Sequence, residues 1–417
     1  MTDGRPVGDR ALTGIRVCDL SGQLAGAGAT RYLAAFGAEV IRVEDPATRG
    51  GWDIVRGAPP FVDERRGIEL GGCFNNYNVG KLGVTLNLRT ERGRQLLAEL
   101  VRCCDVVTEN FAAGVFAAMG FPYEVLVALR PDVIYVSNSG FGHSGPYAGF
   151  RTWGPIVQAC SGLAFDSGLA GLEPAGWGYS YMDHMGANYM AMAVLAAVLH
   201  RQRTGEGQWV DMSCTEAAMT LTGTDILAHT ANGRPARAPR TVHSNRSPTG
   251  TMAPHGIYPA LGDDEWIAIA CRSDEDWTAL GKVAGERWAA DRRFATVGGR
   301  LADEDELDLL VGRWTGGHDR HQLAERLRCA GVPAAAVLRP AERTGDPELN
   351  RWGMWPAVEH PAMGRVAVDG IPVHLSESDW VIEEPAPCLG QHNRQVLGGW
   401  LGVGDDELDE LARQGVV

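Results

Sequence analysis

The chain has 417 residues, 45% hydrophobic and 22% charged, with a formal net charge of −14. This balance excludes a disordered polymer, and the length exceeds one ordinary core, so two domains are expected. The acidic surplus argues against a nucleic-acid polyanion as main partner, but a local basic pocket could still take a small anion.

In chain order, LTGIRVCDL (12–20) is rich in β-formers and predicts a strand, followed by Gly22, Gly26 and Gly28. Tyr32, Leu33 and Phe36 predict a helix that stops at Gly37, and AEVIRVE (38–44) predicts a second strand. Strand, glycine turn, helix and strand make a βαβ unit. KLGVTLNL (81–88) and DVVTENF (105–111) predict two further strands. Between them a helix over 90–103 places Leu96, Leu97, Leu100 and Val101 on one face. Helices at 115–119 and 123–129 lead to a strand in 132–142. A doubly wound, Rossmann-like sheet accounts for this order.

Asp183 stands where an aromatic, glycine-containing loop meets a long apolar helix carrying Met192, Leu195, Ala196 and Leu199. The helix ends at Arg201, Arg203 and Thr204-Gly205, and QWVDMS (208–213) predicts a strand. Its most apolar run, 187–199, is too short to span a membrane. The Arg-, Pro-, Ser- and Thr-rich segment 232–250 predicts a linker. Beyond it, 256–273 alternates as two strands around Gly-Asp-Asp, and helices follow at 274–284, 303–315 and 318–330. Residues 361–373 are strand-like, and 406–414 form a last short helix. The expected layout is a large α/β domain from 1–222 and 361–417, a linker 223–250, a smaller α+β domain 251–335 and a return linker 336–360.

The opening residues carry charge without an apolar core, so no secretory leader is expected. The nine scattered cysteines form no CxxC pair and predict reduced thiols in a cytoplasmic protein. The eleven histidines show no metal-ligand spacing, so no metal is expected.

An aspartate before a helix is most often an N-cap, and its residues alone leave Asp183 in that role. The wider pattern says more. Asp183, the apolar helix and HRQRTGEGQWVDMS (200–213) come in order with LTGIRVCDLSG (12–22), FGAEVIRVEDP (36–46), GKLGVTLNL (80–88), DVVTENF (105–111), DVIYVSNSGFG (132–142) and PAPCLGQHNRQVL (385–397). Together these blocks resemble the class III coenzyme A transferases, the CaiB/BaiF type, across nearly the whole chain.

That resemblance implies that Asp183 is the nucleophile. Its carboxylate attacks an acyl-CoA thioester to give a mixed anhydride. The released CoA thiolate then forms an aspartyl-CoA thioester, and an acceptor acid finally takes the CoA. Covalent catalysis divides one hard exchange into easier steps. A carboxylate, ionised at neutral pH by its ordinary acidity, needs no separate base. The oxyanions need donors, for which Gln23 and the backbone at Gly186 are candidates. Coenzyme A, as substrate and product, would lie on the first turn (Gly22, Leu24, Ala25) and on Asn110, Phe111 and Met119. Arg42 and Lys81 are candidates for its phosphates. Trp153, Trp177 and Tyr181, with Tyr179 and Met182, suggest a partly apolar acyl pocket.

Departures accompany the likeness. Formyl-CoA transferases carry His-Val-Gln in the first turn, where this chain has Gly22-Gln23-Leu24, and their glycine run in the small domain is absent; oxalate and formate are therefore not expected. Two basic CoA-binding positions are Ala118 and Ser139 here, leaving Arg49, Arg56 and the stretch 237–246 as substitutes. An α-methylacyl-CoA racemase, the alternative, needs a second base where this chain has Trp153. A CoA-binding module without activity would have no use for Asp183. The resemblance further implies an interlocked homodimer, with which the long connections around 222–250 and 331–360 are compatible; no membrane or nucleic-acid partner is expected.

Overall fold

The β-branched runs become strands of one sheet: β1 (Arg16–Asp19), β2 (Glu39–Glu44), β3 (Leu82–Thr85), β4 (Val106–Glu109), β5 (Ile134–Ser139) and β6 (Gln208–Ser213). The computed structural model describes residues 10–165, 167, 172–178, 181–233, 245–247 and 249–417. Tyr179 and residues 237–244 of the arginine-containing stretch lie outside them.

All strand pairs in this sheet are parallel, in the order β3-β2-β1-β4-β5-β6. Alternation decides what each strand buries. Cys18, Ile41, Val84 and Val107 face one layer, and Val17, Val40, Val106 and Ile134 face the other. Both faces of strands β1 to β5 are largely buried, as a parallel sheet requires, and only the edge strand β6 exposes side chains such as Trp209 and Asp211 on one face.

Helices cover both faces. They are α1 (Ala25–Ala35), α2 (Gly72–Tyr77), α3 (Glu91–Cys103), α4 (Val115–Ala118), α5 (Tyr123–Leu129), α6 (Gly154–Cys160) and α7 (Tyr181–Thr204). The α3 helix starts where Thr90 Oγ1 accepts the Gly93 N–H at 3.0 Å. Its Leu96, Leu97, Leu100 and Val101 are fully buried, each contributing about 1.5–3 kcal/mol. On the other face α1 packs against α7 through small residues: a Cβ built on Gly28 would stand 3.1 Å from the Ala187 Cβ. The α7 helix begins two residues before Asp183, so that carboxylate lies inside the first turn and is not the N-cap.

The chain packs as two units. One comprises the described residues of Met1–Ser161, Gly178–Leu221 and Pro347–Val417, and includes α8 (Cys214–Met219) after β6. Its last segment docks on the edge strand β3. His392 Nδ1 accepts the Gly83 N–H, and Asn393 Oδ1 accepts the Thr85 N–H, both at 2.9 Å. Side chains thus take up edge N–H groups that a further strand could otherwise pair with.

The other unit comprises the described residues of Gly162–Trp177 and Thr222–Asp346. Its second segment holds α9 (Gly223–Asn232), where a linker was expected, closed by Gly233 in the left-handed region at φ 61. Strands β7 (His255–Pro259), β8 (Trp266–Ala270) and β9 (Ala334–Ala336) form an antiparallel sheet. The helices are α10 (Asp274–Ala284), α11 (Val297–Ala302), α12 (Glu304–Thr315) and α13 (Arg320–Cys329). Trp277, Phe294, Leu307, Val311 and Leu323 fill its core.

The expected return linker is also structured. It holds α14 (Pro340–Thr344), α15 (Pro347–Arg351) and β10 (Ala357–His360), which pairs antiparallel with β11 (Gly364–Ala367). The chain ends in α16 (Asp405–Arg413). Among the described residues, no helix is long and apolar enough to cross a membrane.

Candidate active site

The strand order reverses direction between β1 and β4, and there the loops at the strand C-termini diverge and leave a crevice. Two loops meet across it. Asn110, just after β4, accepts the Gly22 N–H at 2.7 Å and donates to the Gly22 carbonyl at 2.9 Å. This two-way clamp engages the Asn110 amide with backbone, so Asn110 shapes the first turn. Gln23 follows with φ 56, a left-handed conformation that costs a side-chain-bearing residue roughly 1–2 kcal/mol. The Gln23 N–H donates to Asp53 Oδ2 at 3.1 Å. Leu24 is the α1 N-cap, and Leu24 and Ala25 are buried.

Beside this turn opens a cavity of about 140 Å³ lined by Leu20, Val43, Glu44, Asp45, Trp52, Leu86, Leu88, Arg89, Phe111 and Met119. Phe111 and Met119 were expected here. Trp52 and Arg89 were not: neither lies in a recognisable block. The Trp52 ring meets Phe111 edge-on, with centroids 5.8 Å apart. Arg89 is 74% exposed and lies 3.5 Å from Asp45. Behind Phe111, its N–H donates to Glu109 Oε2 at 2.6 Å, and Tyr135 Oη donates to Glu109 Oε1 at 2.8 Å. Burial raises the Glu109 carboxyl above its ordinary value.

The floor of the crevice is built from buried charge. Lys81 donates to Asp19 Oδ2, Ala27 O, Thr30 Oγ1 and Asn78 Oδ1 at 2.7–3.2 Å. Burial lowers it to about 8, against the pull of Asp19. Burial alone would raise Asp19, but Lys81 and Arg42 outweigh that and hold it below its ordinary value. Arg42 is fully buried, with Nη2 2.5 Å from Asp53 Oδ2. Arg56 is likewise buried, paired with Glu44 and Glu69. All three cations are buried and engaged by carboxylates: Lys81 by Asp19, Arg42 by Asp53, and Arg56 by Glu44 and Glu69. Arg49 is exposed.

Asp183 lies on the neighbouring helix, half-buried. Its Oδ2 stands 3.1 Å from where a Cβ on Gly154 would be, so glycine at the start of α6 leaves room for the carboxylate. One turn on, a Cβ on Gly186 would come within 2.9 Å of Cys214 Sγ and 3.8 Å of the Ala25 Cβ. That contact brings the first turn of the sheet beside the first turn of α7. Cys214 Sγ donates to Asn138 Oδ1 at 3.0 Å, and burial, reinforced by the Asp183 charge, pushes the thiol up to about 12. A neutral thiol next to Asp183 is not a competing nucleophile.

Of the expected acyl pocket, Trp153 caps α6 and is 56% exposed, and Tyr181 opens α7 and is 37% exposed. Trp177 belongs to the other unit. His184 Nε2 is 3.2 Å from Tyr77 Oη, a polar contact at the helix start. His143 is bonded to Ser137, and its N–H reaches Asp211. Among the described residues, no group of His, Cys, Asp and Glu could hold a metal.

A wholly parallel sheet with a crevice at its switch point, and the Asp183 helix packed beside the first turn, defines a doubly wound α/β protein. The chain belongs to CoA-transferase family III, whose model matches residues 12–393. It is 32% identical to the succinate–glutarate CoA-transferase of Agrobacterium fabrum, over 93% of this chain and 94% of that one. It is also 32% identical, over the full length of both chains, to the succinyl-CoA–D-citramalate CoA-transferase of Chloroflexus aurantiacus. A crystal structure of a CaiB/BaiF family protein from Brucella suis superposes with a TM-score of 0.84 at 30% identity, covering 94% of this chain and all of that one.

Proposed function

We propose that the protein moves CoA from an acyl-CoA donor to a carboxylic acid acceptor through covalent intermediates on Asp183. The observation that carries this reading is the placement of the Asp183 carboxylate. It sits in the first turn of α7, against a glycine instead of a side chain, one helical turn from the residue that packs on the crevice turn. The carboxylate attacks the thioester carbonyl, and CoA leaves as the thiolate. The thiolate returns to the aspartyl carbonyl and displaces the donor acid. The acceptor carboxylate then attacks the aspartyl-CoA thioester, which expels the CoA thiolate and leaves a mixed anhydride of Asp183 and the acceptor; the thiolate attacks the acceptor's acyl carbonyl, releasing the new acyl-CoA and the free Asp183 carboxylate.

The cavity walled by Trp52, Phe111 and Met119 would take the apolar and ring portions of CoA, with Arg89 at its mouth for phosphate. The N-terminus of α1 and the Gln23 amide would meet the oxyanion. The exposed Trp153 and Tyr181 fit an acyl group larger than a two-carbon diacid, and the names of the relatives make succinyl-CoA with glutarate the first pair to assay. A homodimer, interlocked and cytoplasmic, is part of this reading. Met192, Leu195 and Leu199 leave an apolar stripe of α7 about half exposed, a face suited to a second copy.

The test is exchange of labelled acid into a panel of acyl-CoAs, with Asp183→Ala as control. Wild-type exchange should fall to below about a thousandth in the variant, with CoA binding retained. Equal exchange by both proteins would remove Asp183 from the chemistry. Deuterium uptake at the acyl α-carbon without acid exchange would favour a racemase.

A further inference from the structure

Resting on that reading, we infer that Asp53, locked by the buried Arg42, is a positioning residue that sets Gln23 for the reaction. Three observations meet here. Gln23 keeps a Cβ at φ 56, a conformation better suited to glycine, which stands at the position just before it. Strain at a ligand-facing turn persists where surrounding structure imposes it. The structure that imposes it is Asp53: Oδ2 accepts the Gln23 N–H at 3.1 Å, and Oδ1 accepts the Val55 N–H at 3.2 Å, so both oxygens are fixed.

Arg42 in turn fixes Asp53. Its Nη2 lies 2.5 Å from Asp53 Oδ2, while Nε and Nη1, both buried, make no hydrogen bond among the described residues. The guanidinium also lies over the Trp52 ring, 5.1 Å from its centroid. A fully buried cation whose one side-chain hydrogen bond among the described residues goes to Asp53 holds that carboxylate in a single place. On the opposite side Asn110 clamps Gly22 through both its N–H and its carbonyl. The turn is thus gripped at consecutive residues from two loops, and the backbone angle at Gln23 fixes the direction in which its amide leaves the turn. The packing of Ala25 near Gly186 puts the turn that carries Gln23 beside the start of α7, where Asp183 lies.

A double-mutant cycle tests this, using kcat and KM for the fastest donor of the acyl-CoA panel, with succinyl-CoA and glutarate assayed first. Gln23→Ala keeps the Cβ, and with it the backbone preference, and removes only the amide. Asp53→Asn keeps the size and removes the charge that Arg42 holds. Each should lower kcat by roughly ten- to a hundredfold with KM changed less than about threefold, and the double variant should be no slower than Gln23→Ala alone. Losses that multiply, or an Asp53→Asn enzyme with unchanged kcat, overturn the inference and leave the transfer reading standing. Absence of exchange in the wild type removes both. If Asp53→Asn does not fold, Arg42→Lys loosens the same hold and enters the cycle in its place, with the same two outcomes.

Discussion

Arg89 and Arg42 both stand near the C-terminal edge of the same sheet, yet they differ in everything that matters for a ligand. Arg89 is 74% exposed and reaches Asp45 only at 3.5 Å, whereas Arg42 is fully buried against Asp53 at 2.5 Å. Lys81 and Arg56 side with Arg42: each meets carboxylates inside the protein. The rim of the crevice thus keeps its cation and its aromatic rings open to a ligand, while the floor uses its cations to fix loops.

The sharpest way to break this contrast is Lys81→Met. It would leave Asp19 buried without its cation and should cost about 3–5 kcal/mol of stability, read as a lower midpoint in urea unfolding. Loss of CoA affinity with unchanged stability would instead put Lys81 on the rim. Phe111→Ala should do the reverse, weakening CoA binding by about 1–3 kcal/mol, as loss of a ring-stacking wall does, with little change in unfolding; calorimetry with CoA reads it. Arg89→Gln should weaken CoA by roughly two- to fivefold, an effect that fades at high salt because the group is exposed.

The smallest effect concerns Glu109, which ties Phe111 to the layer beneath. Burial raises its folded value above the ordinary 4.5, so the folded protein binds the proton more tightly than the unfolded chain. The stability this group contributes is therefore present below 4.5 and is lost as pH rises through the raised value. Glu109→Gln removes that dependence. The difference in Tm, wild type minus variant, should fall as pH rises from about 4. A difference constant with pH would contradict the assignment.

What the sequence made legible was local. The strands from Arg16 to Ser139 declare themselves through β-branched runs, and α3 through four apolar residues on one face. The α2 helix was invisible because Gly-Cys-Phe-Asn-Asn-Tyr has neither helix formers nor an apolar period. The buried pairing of Lys81 was not legible because its carboxylate partner, Asp19, lies 62 residues away, a separation no spacing rule detects. Asp53 escaped notice for the same reason, since it meets Gln23 across 30 residues. Asp183 stood out through the ordered family blocks around it, and its place within the first helical turn needed the structure.

The central claim is that Asp183 carries the acyl group and then CoA. The most direct measurement is peptide mass spectrometry of protein incubated with acyl-CoAs and quenched with hydroxylamine or borohydride. The account predicts a hydroxamate or a reduced side chain at Asp183 in the wild type and neither in Asp183→Ala. A protein that exchanges CoA between acids while Asp183 stays unmodified would contradict it.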